Sequence, residues 1–367
     1  MKIATFNIQN LFHRHRELIK INRTKNATDW ISELDILLLK PLKNTADNER
    51  INSLSFLLGF DKTADNPYAI LKRLGGELHF KGRVLENTTK ASFLTDWQGW
   101  LKLGNRPIHE KAIFCKGYMI AETYPDILIL QEVEDRASLM EFNLEVLPLL
   151  KITPYQEVMA FETNDARGLG MGIMLKNGYH LSNFKNHVHD LDDEGFTLFD
   201  VDCQEYSIVT PKGDTIYVLN NQFSPEVNQR KKQAEKVAER YLQLRKEGNN
   251  MIVVCGTLND VSYSHCLAPL LQETDLMDVS KHKCFNTDSD NGSSGTYFSL
   301  GAYRMGVNIK QQDYLLLSPR LFENIKKAGM NRQGTWPERK PNWRLYPSIA
   351  SKHHAASEHP LIWGETT

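Results

Sequence analysis

Short apolar runs alternate along the chain with polar stretches, and seven of these runs have the length of a β-strand. They cover residues 2–6, 127–130, 171–175, 215–219, 251–254, 314–317 and 361–363. Several are continuously apolar, which is typical of strands that are buried on both faces. The pattern therefore predicts a buried β-structure, arranged in either one sheet or two.

One polar stretch between two of these runs has the period of a helix. Within residues 228–248, five apolar side chains recur at the i, i+3, i+4, i+7 and i+8 positions of one helical face: Ala234, Val237, Ala238, Tyr241 and Leu242. Such a face packs against a core, and Gly248 is placed to end the helix. Because strands and helices alternate, the fold class is predicted to be layered α/β.

Residues 13 to about 118 differ from the rest of the chain. They are polar, show more helical periodicity, and contain Trp97 and Trp100. We interpret them as a helical insertion within a single domain of residues 1–367, placed between the first strand and the strand that begins at Ile127. An ordinary pair of surface helices explains the same pattern equally well.

A second unusual stretch, residues 325–347, is basic and aromatic. It holds six Lys or Arg against one Glu, and it contains Trp336 and Trp343. Cations among aromatic rings suit a single-stranded nucleic acid, whose bases stack on the rings while its phosphates meet the cations. A solvated loop that is held in place by two tryptophans explains the composition as well.

Composition and charge narrow the class of protein. Five cysteines form no CxxC pair, so neither a zinc site nor a disulfide framework is predicted. No apolar run has the length of a membrane span, and the N-terminus lacks the apolar core of a signal peptide, so we expect a cytoplasmic protein. With 44 Lys and Arg against 45 Asp and Glu, any contact with nucleic acid must be made by a local basic patch.

Polar residues stand at the ends of the predicted strands, which is where layered α/β proteins place their ligand sites. They are Asn7, Gln131 with Glu132, Gln222, residues 257–260, and Glu358 with His359, while Asp313 opens a strand. Each of them alone is more often a turn former or a cap than a catalytic residue. Their order along the chain is the stronger signal.

As an ordered set, these motifs resemble those of the endonuclease/exonuclease/phosphatase superfamily, which includes pancreatic deoxyribonuclease, abasic-site endonucleases and inositol polyphosphate phosphatases. The family order is a strand ending in Asn, then LQE, NH, GDFND, DY and SDH. Here the order is Asn7, LQE at 130–132, NQ at 221–222, GTLND at 256–260, DY at 313–314 and SEH at 357–359. The stretch ARGLGMGIML at 166–175 is also similar to a family strand that follows an Arg-Gly pair.

The resemblance implies a four-layer sandwich, in which two β-sheets pack face to face with helices outside, and a metal-dependent phosphoesterase site at one edge. Glu132 takes the family's principal position for a ligand of Mg²⁺ or Mn²⁺, supported by Asn7, and Glu358 is a second candidate ligand. A hard cation of this kind needs only one or two carboxylates, because it keeps several waters.

The other family positions imply roles in the reaction. His359 takes the position that contacts the scissile phosphate, and Asp313 takes the position that orients its ring. Asn259 takes the position that bonds to the phosphate and places the attacking water. Arg167 and Asn221 are candidate substrate-binding residues.

Three positions depart from the family pattern. Thr257 replaces the Asp of GDxN, and a hydroxyl does not accept a proton as a general base at neutral pH. Gln222 replaces the His of NH, and an amide donates a hydrogen bond but does not transfer a proton. Glu358 replaces the Asp of SDH and carries its charge one methylene further. Together the changes at Thr257 and Gln222 predict a rate lowered by about 10⁴ to 10⁶.

Two functions follow from these observations. The first is a divergent metal-dependent phosphoesterase, acting on nucleic acid or on a small phosphodiester with impaired or altered catalysis. The second is a catalytically inactive member that binds a phosphorylated ligand, a nucleic acid or a protein partner. An unrelated α/β fold is disfavoured because the chain has no GxSxG, P-loop or GxGxxG motif.

The remaining histidines leave a further alternative open. His187 and His189 alternate as residues on one face of a strand do, and they form either a metal cleft or part of a solvent-facing strand. His353 and His354 lie close to the SEH motif, either at the mouth of a pocket or in a polar loop.

Overall fold

Two mixed β-sheets form one of the two compact units into which the chain divides. This unit comprises Met1–Gln9 and His109–Thr367, and the other comprises Asn10–Ile108. The computed structural model describes residues 1–15, 30, 33–34, 36–38, 40–57, 70–72, 100–102, 105–165, 167–287, 311–336 and 343–367.

The strands are listed here in chain order. They are β1 (Lys2–Asn7), β2 (His13–His15), β3 (Ile70–Lys72), β4 (Trp100–Lys102), β5 (Asn105–Pro107), β6 (Ile127–Val133), β7 (Glu157–Phe161), β8 (Gly170–Leu175), β9 (His180–Lys185), β10 (Asp202–Val209), β11 (Thr215–Gln222), β12 (Ile252–Thr257), β13 (Met277–Asp278), β14 (Phe285–Thr287), β15 (Asp313–Leu317), β16 (Ile325–Asn331) and β17 (Leu361–Thr366).

The helices are fewer. The α-helices are α1 (Thr45–Leu57), α2 (Glu110–Thr123), α3 (Arg136–Glu141), α4 (Val227–Lys246), α5 (Ala268–Leu271) and α6 (Pro319–Glu323). The chain also has a π-helical turn (Phe142–Val146) and the 3₁₀ turns Pro148–Leu150, Val279–Lys281 and Lys352–His354.

The first sheet has seven strands in the order β14, β16, β17, β1, β6, β8 and β7. Its centre is a parallel pair, β1 with β6, and β1 also pairs antiparallel with β17 near the end of the chain. The second sheet has six strands in the order β13, β15, β12, β11, β10 and β9, with β11 and β12 parallel. In both sheets the parallel pair places two strand ends at the same edge.

The core lies between the two sheets. Ile129 and Ile173 of the first sheet pack in one buried cluster with Val218, Val253 and Leu315 of the second. Because strand side chains alternate between faces, the neighbouring residues of the second sheet face the other way. There Leu219, Val254 and Leu316 pack with the apolar face of α4 in a second buried cluster.

Helices also cover the first sheet. α3 contacts β6 and β7, and α2 contacts β17. None of the buried residues of α2 belongs to the cluster between the sheets, so α2 lies on the outer face. The predicted sandwich of two mixed sheets flanked by helices is therefore confirmed by the sheets themselves.

The helix predicted over residues 228–248 is α4, and the prediction of its buried face is wrong at one residue. Ala234, Val237, Ala238 and Tyr241 are buried as expected, but Leu242 is exposed. The next buried position is Leu244, three residues after Tyr241, because each residue turns the helix by about 100°. Gly248 adopts φ of 89° just after the helix, which explains why a glycine ends it.

All seven predicted strands are present, and several extend further than their apolar runs. The strands that the pattern missed are β7, β9, β10, β13, β14 and β16 of the two sheets and the short strands of the second unit. β9 is mostly exposed and β10 contains buried polar residues, so neither resembles an apolar run.

Among the described residues, no helix is long and apolar enough to cross a membrane.

The second compact unit contains helix α1 and two small antiparallel pairs, β2 with β5 and β3 with β4. Its boundaries, Asn10 and Ile108, differ from those of the predicted insertion at 13–118, because helix α2 belongs to the first unit. Trp97 lies outside the described residues. The interpretation of 13–118 as an insertion remains a prediction.

Candidate active site

Five strand ends with polar side chains come together at one edge of the sheets. β1 ends at Asn7, β11 ends at Gln222, and Glu132 lies one residue before the end of β6. β12 ends at Thr257, and β15 begins with Asp313 directly opposite it in antiparallel register. The pairing of the strands therefore brings most of the site residues predicted from the sequence motifs to the same edge.

A polar bridge joins the two sheets immediately behind this edge. Gln131 of β6 donates from Nε2 to Oδ1 of Asn220 on β11 at 2.7 Å, and Asn220 donates from Nδ2 to the carbonyl of Leu130 at 3.1 Å. All three residues are fully buried. Because a buried amide must have its partners, these bonds fix the spacing of the two sheets where they hold the site.

A chain of hydrogen bonds runs through four of the predicted site residues. Asn7 donates from Nδ2 to Thr257 Oγ1 at 3.1 Å, and the Thr257 hydroxyl donates to Asp313 Oδ1 at 2.7 Å. The Asp313 carboxylate also contacts His359 Nδ1, at 2.8 and 2.9 Å from its two oxygens. The threonine hydroxyl is therefore both acceptor and donor within the chain, and it serves to orient Asp313.

The His359 ring is held as a cation. Burial alone lowers the pKa of this imidazole, but the charge of Asp313 and the hydrogen bond to it outweigh burial and raise the pKa to about 9. The charges of Glu132 and Glu358 act in the same direction. Because Nδ1 is directed at Asp313, Nε2 is the ring atom that remains for a ligand.

Glu132 has an uncommon backbone conformation. Its φ is 57°, in the left-handed region, and the pairing of β6 with β8 shifts register between Gln131 and Val133. A bulge of this kind turns one side chain out of the regular alternation of a strand. Non-glycine residues in this region cost about 1 to 3 kcal/mol, and they cluster at functional sites.

Two donors occupy one oxygen of the Glu132 carboxylate. Oε1 accepts from Gln222 Nε2 at 2.8 Å and from Arg167 Nη2 at 3.1 Å. Arg167 is itself held by the Asp165 carboxylate, with distances of 2.6 to 3.1 Å from its guanidinium nitrogens. Glu132 Oε2 is buried and has no hydrogen-bond partner. The carboxylate thus has one fully engaged oxygen and one free oxygen.

The two residues of the NQ motif have different environments. Gln222 is buried, and its Oε1 has no partner although its Nε2 bonds to Glu132. Asn221 is fully buried and donates to the carbonyls of Leu219 and Cys255, within the second sheet. The structure therefore brings Gln222 to the other candidates, whereas it directs the Asn221 amide nitrogen to the backbone.

The GTLND motif places Asn259 and Asp260 in a turn after β12. Asn259 has φ of 55° and donates from Nδ2 to the carbonyl of Phe223 at 2.6 Å, which fixes the plane of its amide. Asp260 instead pairs with Arg230 of α4 at 2.9 Å and accepts from Ser264 at 2.8 Å. Because Asp260 is engaged in holding this turn, it does not replace the missing base at Thr257.

The SEH motif brings His359 to the strand edge, and Glu358 beside it is half exposed. Ser357 donates to the carbonyl of Asn7 at 2.8 Å and accepts from the His359 backbone at 3.1 Å. The Glu358 side chain is 48% exposed and forms an ion pair with Lys352. Glu358 is therefore paired with a lysine, and its assignment as a second metal ligand remains a prediction.

Two supporting residues were missed in the sequence. Lys116 of α2 is fully buried and donates from Nζ to the carbonyls of Ile8 and Ala356, which lie next to Asn7 and Ser357. Its signal in the sequence was a lone lysine in the apolar run IFCKGYMI. Gln9 accepts from the Glu358 backbone at 2.8 Å, and no motif indicated this contact.

The peripheral candidates have structural roles. His187 is buried and contacts Asp190 and Glu205, whereas His189 is exposed, so the two do not lie on one face. The expectation of a solvent-facing strand is wrong for His187, because two carboxylates stabilise its buried ring. In the basic stretch, Arg332 is buried over the ring of Trp343, which donates to the Arg332 carbonyl.

The chemistry of the donor set points to a hard cation. The described residues contain no group of three or more His, Cys, Asp or Glu that could hold a metal ion. A buried carboxylate oxygen without a partner, beside amide groups, is the kind of ligand that Mg²⁺ and Mn²⁺ accept while they keep several waters. Glu132 therefore fits such an ion.

No protein-family model and no curated protein matches this chain. Solved structures to which it is similar include the human nocturnin catalytic domain with bound sulfate, at 17% identity over 70% of this chain and 87% of that one, with a TM-score of 0.46. An endonuclease/exonuclease/phosphatase family protein from Bacteroides thetaiotaomicron matches at 13% identity over 69% and 84%, with a TM-score of 0.46. A mannosyl-6-phosphatase from the same bacterium matches at 14% over 70% and 90%, with a TM-score of 0.46.

Proposed function

We propose that this chain is a divergent metal-dependent phosphoesterase, which hydrolyses a phosphodiester in nucleic acid or in a smaller substrate at a reduced rate. The observation that carries the proposal is the convergence of a cationic His359, oriented by Asp313, with a Glu132 carboxylate that has one free buried oxygen. A fixed cation and a site for a divalent ion, placed together, suit the negative charge of a phosphate.

A bound Mg²⁺ or Mn²⁺ would polarise a phosphate oxygen and stabilise the charge that develops on it. Glu132 would hold the ion through Oε2, the oxygen without a partner. Asn7, which the family resemblance places beside this ligand, is engaged with Thr257 and lies at the same strand edge.

The chain's own residues supply binding and orientation. His359 Nε2 donates to a phosphate oxygen, while Asp313 keeps the ring charged and correctly turned. Asn259, whose amide plane is fixed by the Phe223 carbonyl, bonds to the phosphate or to the attacking water. The Thr257 hydroxyl is committed to Asp313, so water attacks without a carboxylate base from this position. The missing base accounts for a rate lower by about 10² to 10⁴.

The test is hydrolysis of bis(4-nitrophenyl) phosphate and of single-stranded and duplex DNA, with Mg²⁺ and with Mn²⁺. We expect slow turnover that Glu132→Ala abolishes. His359→Ala should lower it by at least about 10². Glu273→Ala, which changes an exposed carboxylate outside the strand edge, is the matched control. Turnover that is unchanged in Glu132→Ala would contradict the proposal.

One observation favours a second function. Asn7, Thr257 and Asp313 form hydrogen bonds with one another. The residue at the position of the family's base is therefore not available to activate a water molecule. A catalytically inactive protein that binds a phosphorylated ligand, a nucleic acid or a protein partner would have such a site. This alternative predicts phosphate-dependent binding that needs His359, with no metal-dependent turnover on any of the three substrates.

A further inference from the structure

We propose that His109 and His354 form a binding site for a phosphate group, with Lys111 and His353 supplying positive charge beside it. The two histidines belong to different segments, because His109 directly precedes helix α2 and His354 ends the 3₁₀ turn Lys352–His354. Neither residue belongs to the candidate active site. Binding of phosphate at this pair therefore does not depend on the proposed function.

The two imidazole rings contact each other directly. Their centroids are 4.5 Å apart and their planes meet at 61°, which is an edge-on arrangement. His109 is exposed and His354 is partly exposed, so a solute reaches the pair from the solvent. Because a charge-assisted N–H···O bond is about 2.8 Å long, one phosphate with its several oxygens can accept hydrogen bonds from both rings.

Backbone hydrogen bonds fix the tautomer of both rings. The Lys111 backbone donates to His109 Nδ1 at 3.1 Å, and the Ala350 backbone donates to His354 Nδ1 at 3.2 Å. A ring nitrogen that accepts a hydrogen bond carries no proton, so in the neutral ring the proton is on Nε2. Each Nε2 is therefore a hydrogen-bond donor at neutral pH.

This tautomer selects the chemical class of the ligand. A metal ion binds the lone pair of an imidazole nitrogen, whereas in both rings the backbone bond at Nδ1 leaves the proton on Nε2. An oxyanion has the opposite requirement, since its oxygens accept from N–H groups. The pair therefore suits an anion with several oxygens, such as phosphate, better than a transition metal.

The charges around the pair have one sign. Burial lowers the pKa of His354 below 6.5, and the charges of His109, Lys111 and His353 lower it further. Among the residues that the structure describes, none of these four side chains forms an ion pair, and the neighbouring carboxylate of Glu110 is exposed. A bound phosphate would supply the missing negative charge and would relieve the repulsion among the cations.

The segment that carries His354 also carries His359 of the candidate active site. Helix α2 contacts the turn that ends at His354, and Lys352 of this turn pairs with Glu358. Five residues of chain span at most about 18 Å, which limits the distance between the Cα atoms of His354 and His359. The phosphate is therefore either a second phosphate of a substrate bound at the strand edge or part of a separate ligand.

The test is the binding of inorganic phosphate to the full chain, measured by calorimetry, with His359→Ala present so that the candidate active site does not contribute. In this background we expect His109→Asn and His354→Asn each to weaken phosphate binding by about 10-fold, because a charge-assisted hydrogen bond is lost. Asparagine is favoured at a helix N-cap, so at position 109 it keeps the cap of α2 and preserves the fold. His354→Asn is the independent second variant.

The matched control is His180→Asn, because His180 is also exposed and its Nδ1 also has a partner, Glu157, at 2.8 Å. It should leave phosphate binding unchanged. In the His359→Ala chain, the pKa of His354, followed by NMR, should rise when phosphate saturates the protein, because a nearby anion stabilises the imidazolium. Phosphate binding that neither His109→Asn nor His354→Asn weakens, or a His354 pKa that phosphate does not raise, would overturn this inference.

Two thymidine dinucleotides, one with and one without a 5′-phosphate, distinguish the two sources of the phosphate. If a second phosphate of the substrate occupies the site, His109→Asn should raise KM for the 5′-phosphorylated dinucleotide by about 10-fold and leave KM for the other unchanged. Unchanged KM values together with weaker binding of inorganic phosphate would assign the site to a separate phosphorylated ligand. Phosphate binding at the histidine pair without any metal-dependent turnover would contradict the proposed function and leave this inference standing.

Discussion

At position 257 a hydroxyl takes the place of the carboxylate of the GDxN motif that the sequence resembles, and its hydrogen bonds explain how the fold accommodates it. Thr257 accepts from Asn7 and donates to Asp313 Oδ1 at 2.7 Å. An aspartate at 257 would instead bring a second carboxylate against Asp313. The charge on His359 and a bound divalent cation would compensate that repulsion, because both are positive.

We therefore expect Thr257→Asp to raise metal-dependent hydrolysis of bis(4-nitrophenyl) phosphate by about 10² to 10⁴ at saturating Mn²⁺, since it restores a general base. Thr257→Asn is the matched control, because it has the same shape as aspartate and no basic oxygen. Equal rates for the two variants would mean that the altered residue lies too far from the attacking water to activate it.

The glycine before Thr257 is required by its backbone. Gly256 has φ of 118°, and a Cβ added there would lie 2.0 Å from the Asn221 carbonyl oxygen. Gly256→Ala should therefore lower the free energy of unfolding by about 3 kcal/mol or more, as measured by urea denaturation. Gly213→Ala is the control, since Gly213 has φ of 88° but no atom within 4 Å, and it should cost about 1 to 2 kcal/mol. A smaller loss at Gly256 than at Gly213 would contradict this account.

The sequence identified those site residues whose type and order along the chain match the family motifs. Asn7, Glu132, Asp313 and His359 stand in family order, and the structure brings them together. Gln222 and Arg167 were candidates as well, but their contacts with Glu132 were not predictable, because they reach it from positions 90 and 35 residues away. Such long-range pairs depend on the pairing of strands, which no local pattern contains.

At the scale of elements, one edge of the second sheet is fastened to α4 by a buried charge network. His187 contacts Glu205 of β10 at 2.7 Å, and Arg240 of α4 contacts the same carboxylate at 2.7 Å. Burial raises the pKa of Glu205, but the bonds to His187 and Arg240 outweigh it and lower the pKa from 4.5 to about 2. Burial lowers the pKa of His187, and its two carboxylate partners raise it above 6.5 overall.

The sign of the pH dependence follows from these shifts. The Glu205 contribution is present above pH 4.5 and is lost as the pH falls toward 2, whereas the His187 contribution is lost as the pH rises above 6.5 through its raised pKa. Glu205→Gln should therefore cost about 3 kcal/mol at pH 6, and less at pH 3, in urea unfolding. Glu194→Gln is the control, because its contact with Lys232 is exposed and worth less than about 1 kcal/mol. A difference between wild type and Glu205→Gln that does not shrink on acidification would contradict the assignment.

The elements themselves were predictable to the extent that they are buried on both faces. β6, β8 and β12 are buried at every residue and appear as apolar runs in the sequence. β10 is also mostly buried, but Asp202, Gln204 and Glu205 interrupt its apolar pattern, and Glu205 does so as part of the charge network. β10 was therefore missed because these polar side chains break the pattern of a buried strand.

At the scale of the whole molecule, the chain is balanced in charge, with 44 basic and 45 acidic residues. A protein that grips a long duplex needs a cationic face, because it must neutralise many phosphates. In the basic stretch, Arg332 and Trp343 pack on each other in the interior. For the proposed phosphoesterase, the balanced charge favours a substrate that presents few phosphates to the protein.

The second compact unit begins and ends on neighbouring strands, so it is removable in principle. β2 pairs with β5, His15 lies opposite Asn105, and the Ile108 backbone donates to the Phe12 carbonyl at 2.7 Å. A Gly-Asn-Gly loop in place of residues 16–104 would close this pair as a hairpin. If residues 13–118 contain an insertion that the sandwich does not need, the shortened chain should fold and bind Mn²⁺ with an affinity within about twofold of wild type.

The readouts for the shortened chain are its urea midpoint and Mn²⁺ calorimetry, since neither requires a known substrate. Glu132→Ala in the shortened chain is the control and should abolish binding, which shows that the same site is being measured. A shortened chain that folds but loses Mn²⁺ would assign the missing residues a part in the site. Retained binding together with altered turnover on DNA, but not on bis(4-nitrophenyl) phosphate, would instead assign them to substrate choice, because the small diester needs only the strand-edge residues.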